Sequence, residues 1–205
     1  VVVKRVDSSG SRGISIVKDE AGIEKAFRNA LERSAKDYAL VEEMLGGTEI
    51  GVDGVVQNQK LIFLALHEKF VYHSKKITIP AGHGFPYRGD AHVQEEIRIQ
   101  MERAVKALGL DNCSVNADVF VNGDKVSVIE IGARTGATCI PELISMYYGF
   151  DFYQKILENA LGVTLTFPPE KEGTPCMAKL LMSPVNGTIT SIDKQKLDQL
   201  RNEGV

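Results

Sequence analysis

The stretch VSVIEIGARTG, residues 126–136, predicts a β-strand that ends in functional groups. Its β-branched and apolar residues are typical of a strand. Glu130 supplies a carboxylate near the end of the run, Arg134 supplies a guanidinium four residues later, and a glycine turn follows. Such charged groups are costly to bury unless they bind something. A carboxylate suits a hard cation such as Mg²⁺, and an arginine fork suits phosphate oxygens.

A second carboxylate, Asp118, lies on the preceding β-rich run, and Asn122-Gly123-Asp124 between the two runs predicts a hairpin. A two-residue loop at Asn122-Gly123 would place Glu130 on the face opposite Asp118, because side chains alternate along a strand. A three-residue loop would make Asp118 oppose Val128 and bring Glu130 onto its face, about 7–8 Å away. We expect the longer loop, and two unrelated surface acids are the alternative on spacing alone.

Composition indicates an ordinary globular protein. The 205 residues suit one large domain or two small lobes. A net charge of −3 without a basic run argues against a nucleic-acid partner. Cys113, Cys139 and Cys176 lack paired spacing, so we interpret them as reduced thiols of a cytoplasmic protein, not zinc ligands. No signal peptide or transmembrane span is visible, so no membrane partner is expected.

Strand and helix signals predict the α+β class, with a small lid lobe of strands and one helix and a larger antiparallel sheet with flanking helices. The expected parts are the lid lobe at residues 1–47, a larger lobe at 48–165 that carries Asp118 and Glu130, and a linker with the start of a small strand-rich module at 166–205. Residues 73–88 predict a long irregular loop. Strands are also expected within the last part, at residues 177–182 and 187–192.

The polar loop DSSGSRG, residues 7–13, suits a lid over phosphates. Backbone N–H groups around Ser9, Gly10 and Gly13 could cradle phosphate oxygens. The loop is not a Walker P-loop, because no Gly-Lys-Ser/Thr follows and the next element is a strand. Lys4 lies just before the loop, where its ammonium could reach a phosphate. A mobile hairpin and a solvated lysine are the alternatives.

The segment from Glu42 to Leu45 ends an extended run at a lobe junction. Backbone groups there could bond an adenine edge, and Glu49, beyond Gly46-Gly47, could accept from ribose hydroxyls. Solvated acidic hinge residues are the alternative for each of these positions.

Taken in order, these motifs resemble the ATP-grasp superfamily, and within it biotin carboxylase, the large-chain halves of carbamoyl phosphate synthetase and related carboxylate–amine ligases. The resemblance covers roughly residues 1–165. The matching segments are residues 3–5, the loop at 8–13, residues 41–45, residues 49–53, Asp118 and residues 129–134. Each motif is loose, but their shared order is specific.

The resemblance implies a nucleotide site that uses ATP. Lys4 and the glycine loop would bind the triphosphate. Glu42 and Leu45 would meet adenine through backbone, and Glu49 would meet the ribose. Lys75 or Lys76, in the long loop, could point at the γ-phosphate.

The resemblance also implies a metal and a reaction. Asp118 and Glu130 would hold Mg²⁺, and Arg134 would be the catalytic residue that stabilises an acyl phosphate or its acceptor carboxylate. ATP would phosphorylate a carboxylate or bicarbonate, and an amine or ammonia would displace phosphate, as in carbamoyl phosphate synthetase. A non-catalytic nucleotide-binding module is the alternative, and a pure scaffold would bind no nucleotide.

Two departures from the family pattern matter. Many members carry Asn two residues after the metal-binding Glu, where this chain has Gly132, so one Mg²⁺ could be held more weakly. The N-terminal subdomain that precedes this segment in the family is also missing, so we expect a fragment of a longer polypeptide. The face left by that subdomain would be apolar and could support a homodimer.

Overall fold

The computed structural model describes residues 1–8, 10, 12–32, 34–73, 78–169, 173–183, 185 and 187–203. They form two antiparallel sheets, one of three strands and one of six, with helices packed on them. This arrangement confirms the α+β prediction. Within the described residues, no helix is long and apolar enough to cross a bilayer.

The three-stranded sheet has the strand order β2-β1-β3. Its elements are β1 (Val2–Arg5), β2 (Ile14–Ile16), α1 (Ile23–Leu31) and β3 (Ala39–Glu42). Val3 is fully buried and packs with Ala26 and Ala30 of α1. Because side chains alternate along a strand, Lys4 then lies on the sheet face away from this helix.

The large sheet is antiparallel throughout, in the order β8-β7-β4-β5-β6-β9. Its strands are β4 (Thr48–Gln57), β5 (Lys60–His73), β6 (Thr78–Phe85), β7 (Cys113–Asn122), β8 (Lys125–Gly132) and β9 (Cys176–Lys179). The turn between β4 and β5 has positive φ at Asn58 and Gln59, as a tight hairpin requires.

Helices cover one face of this sheet and half of the other. The covering helices are α2 (Ala91–Leu108), α3 (Ile140–Tyr148) and α4 (Phe152–Ala160), whereas a further helix, α5 (Lys194–Asn202), has no buried residue. Buried apolar residues recur every four positions along α2, which packs against Ile50 and Val119. On the opposite face, α3 and α4 cover an apolar half that includes Val55 and Ala65. The other half of that face carries polar residues.

Two local predictions were wrong. Residues 78–85, expected within an irregular loop, form β6 between β5 and β9. The glycine content there reflects close backbone approach, since a Cβ at Gly82 would lie 2.3 Å from the carbonyl oxygen of Ala178. Residues 187–192 form no strand, because alternating residues need a partner strand to bond. Within the expected strand at 177–182, β9 ends at Lys179.

Candidate functional site

The β7–β8 hairpin brings Asp118 and Glu130 together by a route that the sequence did not predict. Asn122 pairs with Lys125, so the loop has two residues and the predicted three-residue loop was wrong. The register then shifts between Val119, which pairs with Val128, and Asp118, which pairs with Glu130. This β-bulge turns Glu130 onto the face of Asp118. The expectation of a shared face is confirmed, and the two acids are direct cross-strand partners.

A lysine that the sequence analysis did not select lies beside this pair. The Nζ of Lys69, on β5, is 2.7 Å from Oδ2 of Asp118 and 2.5 Å from Oε1 of Glu49 on β4. The Lys69 side chain is only 9% exposed. Burial pulls the pKa of Lys69 down, but the hydrogen bonds and charges of the two acids outweigh burial and raise it above its ordinary value. Lys69 is therefore a charged ammonium held between two carboxylates.

Behind these groups lies a fully buried carboxylate, Asp53 on β4. Its Oδ2 accepts from Nδ2 of Asn116 at 3.0 Å and lies 3.3 Å from Nε2 of His67, and its Oδ1 accepts from the backbone N–H of Gly136 at 2.7 Å. Asp53 thus ties strands β4, β5 and β7 to the loop after β8. The loop can approach because residue 136 is glycine, since a Cβ there would lie 2.9 Å from Oδ1 of Asp53.

Two buried histidines complete the polar half of the face. The His67 ring lies over Gly51, where a Cβ would be 1.9 Å from its Cε1 atom. It meets His83 of β6 edge-on, with ring centroids 4.8 Å apart. Burial, and then electrostatic interactions with His67 and Lys69, lower the pKa of His83 to about 4. His83 is therefore neutral at physiological pH, and its ring adds no positive charge to the site.

Arg134 lies at the mouth of the site, on the loop that Asp53 holds. Its Nη1 donates to Oδ1 of Asn116 at 3.2 Å and to the backbone carbonyl of Thr135 at 2.9 Å. Gly132 is the cross-strand partner of Asn116, and a Cβ at Gly132 would lie 3.6 Å from Cγ of Arg134. The arginine stem therefore lies close to the space that a longer residue at position 132 would occupy.

Two of the proposed nucleotide contacts, Lys4 and Glu42, belong to strands of the small sheet. Lys4 forms an ion pair with Glu42 across β1 and β3. Gly10 and Gly13 have φ of +64° and +79°, which glycine adopts readily. Leu45 is half-buried in the segment between the two sheets. Of the predicted phosphate contacts, Ser9, Lys75 and Lys76 lie outside the described residues.

The sequence analysis missed Lys69 and the buried groups around Asp53. The tight turn at Asn58-Gln59 could have indicated the face of Lys69, because a turn sets the register of the two strands it joins, here β4 and β5. That signal alone gives the wrong face, because a register shift between Val55 and Val56 changes every later pair. Without the shift, Ile50 would oppose His67, not Glu68, and Lys69 would face α2.

Comparison with known proteins identifies the family of this chain. The family model for the ATP-grasp domain matches residues 1–138. The chain is 28% identical over 172 residues to the D-alanine–D-alanine ligase of Trichlorobacter lovleyi, covering 80% of this chain and 54% of the ligase. It is 25% identical over 134 residues to the carbamoyl phosphate synthase large chain of Pseudomonas aeruginosa, covering 63% of this chain and 12% of that protein.

A solved structure agrees with these relatives. The crystal structure of phosphoribosylglycinamide synthetase from Anaerococcus prevotii matches with a TM-score of 0.71 and 31% identity, over 88% of this chain and 45% of that one. The chain thus spans about half or less of the length of the relatives that it matches. On the match over residues 1–138 and these likenesses, the chain belongs to the ATP-grasp family, whose members include ATP-dependent ligases.

Proposed function

We propose that this chain binds ATP with Mg²⁺ and activates a carboxylate as an acyl phosphate, which an amine or ammonia then attacks. The observation that carries the proposal is the direct pairing of Asp118 with Glu130 on a sheet face that also presents Lys69, with Arg134 on the loop beside it. Two acids, an ammonium and a guanidinium are the groups that phosphoryl transfer needs for positioning and charge neutralisation.

The two carboxylates fit a magnesium ion that arrives with phosphate. Within the described residues, no three His, Cys, Asp or Glu side chains cluster closely enough to hold a metal by themselves. Mg²⁺ in nucleotide sites commonly takes one or two protein carboxylates and completes its shell with phosphate oxygens and water. Asp118 and Glu130 would be those two ligands, and the ion would neutralise charge on the phosphates.

The nucleotide would lie between the lid, residues 1–47, and the catalytic lobe, residues 48–165. Glu42 and Leu45 would meet adenine through backbone, and Glu49 would accept from the ribose once Lys69 releases it. The ammonium of Lys69, already 2.7 Å from Asp118, could then turn to a phosphate oxygen. The remaining proposed phosphate contacts are Lys4, Ser9, Gly10, Gly13, Lys75 and Lys76.

The chemistry has two balanced steps. A carboxylate oxygen attacks the γ-phosphorus, the bond from that phosphorus to the bridging oxygen of ADP breaks, and ADP leaves. The amine nitrogen then attacks the acyl carbon, the carbon–oxygen bond to phosphate breaks, and the nitrogen loses its proton to solvent. Arg134 would act in both steps, because its guanidinium can pair with the carboxylate and later with the acyl phosphate oxygens.

The class of carboxylate substrate is a more specific part of the proposal. A D-alanine–D-alanine ligase activates an amino-acid carboxylate, and its likeness covers more of this chain than the likeness to carbamoyl phosphate synthase does. Amino acids therefore head the panel to be tested, with bicarbonate and ammonia for a carbamoyl phosphate synthase-like reaction. A nucleotide-binding module without catalysis is the second candidate, favoured by Gly132 where many family members have Asn.

The test is ADP release by the natural protein, measured with and without Mg²⁺ across a panel of carboxylates and amines. Turnover that needs Mg²⁺ and a carboxylate supports the ligase, whereas nucleotide binding without such turnover supports the module. Asp118→Ala or Glu130→Ala should lower turnover about 10²–10³-fold, the loss typical when transition-state charge is left unneutralised. Asp124→Ala is the matched control, because Asp124 lies at the tip of the same hairpin and bonds only His92 among its described partners. Equal activity of all three variants would contradict the proposed metal site.

A further inference from the structure

We propose that Asp53 and Asn116 are positioning residues for Arg134, so that a buried carboxylate sets the direction of the guanidinium through an intervening amide. The inference rests on the proposed function for the role of Arg134, but its geometric part does not. Neither Asp53 nor Asn116 has a place in the nucleotide and metal contacts proposed above.

The burial of Asp53 is the first argument. Its side chain is fully inaccessible, although an ionised carboxylate without partners is among the most costly groups to bury. The partners of Asp53 all belong to the site: they are the amide of Asn116, the ring of His67 and the backbone N–H of Gly136. The carboxylate is therefore held by the groups that build the mouth of the site.

The direction of the Asn116 amide is the second argument. An ionised carboxylate only accepts hydrogen bonds and a guanidinium only donates them. Nδ2 of Asn116 must therefore face Asp53, at 3.0 Å, and Oδ1 must face Arg134, at 3.2 Å. The usual ambiguity between the two ends of an asparagine amide is resolved by its two neighbours. Asp53 thus determines which atom meets the arginine.

The same carboxylate also fixes the backbone that carries the arginine. Oδ1 of Asp53 accepts from the N–H of Gly136, two residues after Arg134, at 2.7 Å. Asn116 restrains the guanidinium of Arg134, and Gly136 restrains the backbone that carries it. Both restraints depend on hydrogen bonds to the buried carboxylate of Asp53. Reaction rates depend steeply on such placement.

Gly132 supplies the room for this arrangement. It is the cross-strand partner of Asn116, and a Cβ there would already be in van der Waals contact with Cγ of Arg134. A longer side chain at position 132 would compete with the arginine stem for the space in front of Asn116. The departure from the family pattern at Gly132 thus has a structural reason, because the glycine leaves space for the Arg134 side chain.

The first test needs no substrate. When hydrogen bonds slow rotation about the Cζ–Nε bond, the two Nη atoms of an arginine give separate ¹⁵N NMR signals. Signals of Arg134 are assigned by their loss in Arg134→Lys. We expect two signals in the natural protein and one merged signal in Asn116→Leu and in Asp53→Asn. The control is Gln57→Leu, which removes a buried side-chain amide on β4 that is bonded to Asn159 at 2.9 Å, and it should leave the two signals separate.

The second test is kinetic. Asn116→Leu should lower kcat about 10–100-fold, as losing a group that orients a functional residue commonly does, with KM for ATP nearly unchanged. In an Arg134→Ala background the same substitution should add little, because residues that act through one another are non-additive. A merely structural role would instead lower stability alone, as expected for Gln57→Leu.

The outcomes separate the two proposals. Two resolved Arg134 signals in Asn116→Leu, or losses in kcat that multiply in the double variant, would overturn the positioning role. Failure of the natural protein to turn over any carboxylate would instead refute the ligase, and the NMR comparison would still decide whether Asp53 and Asn116 hold the arginine.

Discussion

Replacing Lys69 by methionine should raise the affinity for a free metal ion and lower the affinity for nucleotide. The ammonium now neutralises Glu49 and Asp118 from 2.5 and 2.7 Å. Methionine keeps most of the apolar stem and removes the charge. Since Asp118 is a proposed magnesium ligand, the ammonium competes with a free metal ion for the same carboxylate.

The expected sizes follow from the burial of the three groups. Breaking a fully buried ion pair costs about 3–5 kcal/mol and losing an exposed pair costs about 0–1 kcal/mol. Glu49 and Asp118 are 28% and 22% exposed, so water can reach them in the variant. We therefore expect the free energy of unfolding to fall by about 1–3 kcal/mol. Mn²⁺ should bind the nucleotide-free variant about tenfold more tightly, equivalent to ~1.4 kcal/mol.

Nucleotide binding should respond with the opposite sign. A charge-assisted hydrogen bond to phosphate contributes about 1.5–3 kcal/mol, so the variant should bind the Mn²⁺ complex of a non-hydrolysable ATP analogue roughly 10–100-fold more weakly. Electron paramagnetic resonance of Mn²⁺ measures both affinities. Lys155→Met, which removes an ion pair with Glu158 on α4, is the control and should change neither. Weaker Mn²⁺ binding by the nucleotide-free Lys69→Met protein would refute the competition.

Three further perturbations test the surroundings of the site. His83 has its pKa lowered to about 4 in the folded protein, against about 6.5 unfolded, so its contribution to stability is complete above pH 6.5 and is lost as pH falls towards 4. Chemical denaturation should show that His83→Gln removes about 2 kcal/mol of the stability difference between pH 7 and pH 5, and an unchanged difference would count against a neutral buried ring. Gly51→Ala should cost about 1–3 kcal/mol of unfolding free energy, because its Cβ would overlap the His67 ring, and a neutral effect in the same assay would contradict the close approach. ATP should slow hydrogen exchange at the amides of Gly10 and Gly13 if the lid closes on phosphate, and slow exchange without nucleotide that ATP leaves unchanged would argue against a lid.

The fold could be predicted from sequence where one local pattern is sufficient. The four-residue spacing of apolar side chains along α2 and the turn at Asn58-Gln59 each determine an element by themselves. The strand at residues 78–85 could not be predicted in this way. Its glycines and proline are typical of loops, and its pairing depends on β5 and β9, which are distant in sequence.

The candidate site depended on two register shifts that have no local signature. The bulge beside Asp118 brings Glu130 onto its face, and the shift at Val55 and Val56 turns Lys69 towards the same site. A bulge adds one residue to a strand, and the packing of the whole sheet decides where it lies. Asp53 was missed for a related reason, because a carboxylate within an apolar strand shows its role only when its partners from other strands are known.

The most direct test of the central claim follows an oxygen atom. The natural polypeptide is incubated with ATP, Mg²⁺, an amine and a carboxylate labelled with ¹⁸O in both oxygens, and the released phosphate is examined by ³¹P NMR. If the carboxylate attacks the γ-phosphorus and the amine then displaces phosphate, one ¹⁸O passes into each phosphate released. We predict singly labelled phosphate for the carboxylate that supports turnover. Carboxylate-dependent turnover that releases only unlabelled phosphate would contradict an acyl phosphate and the ligase chemistry proposed for this chain.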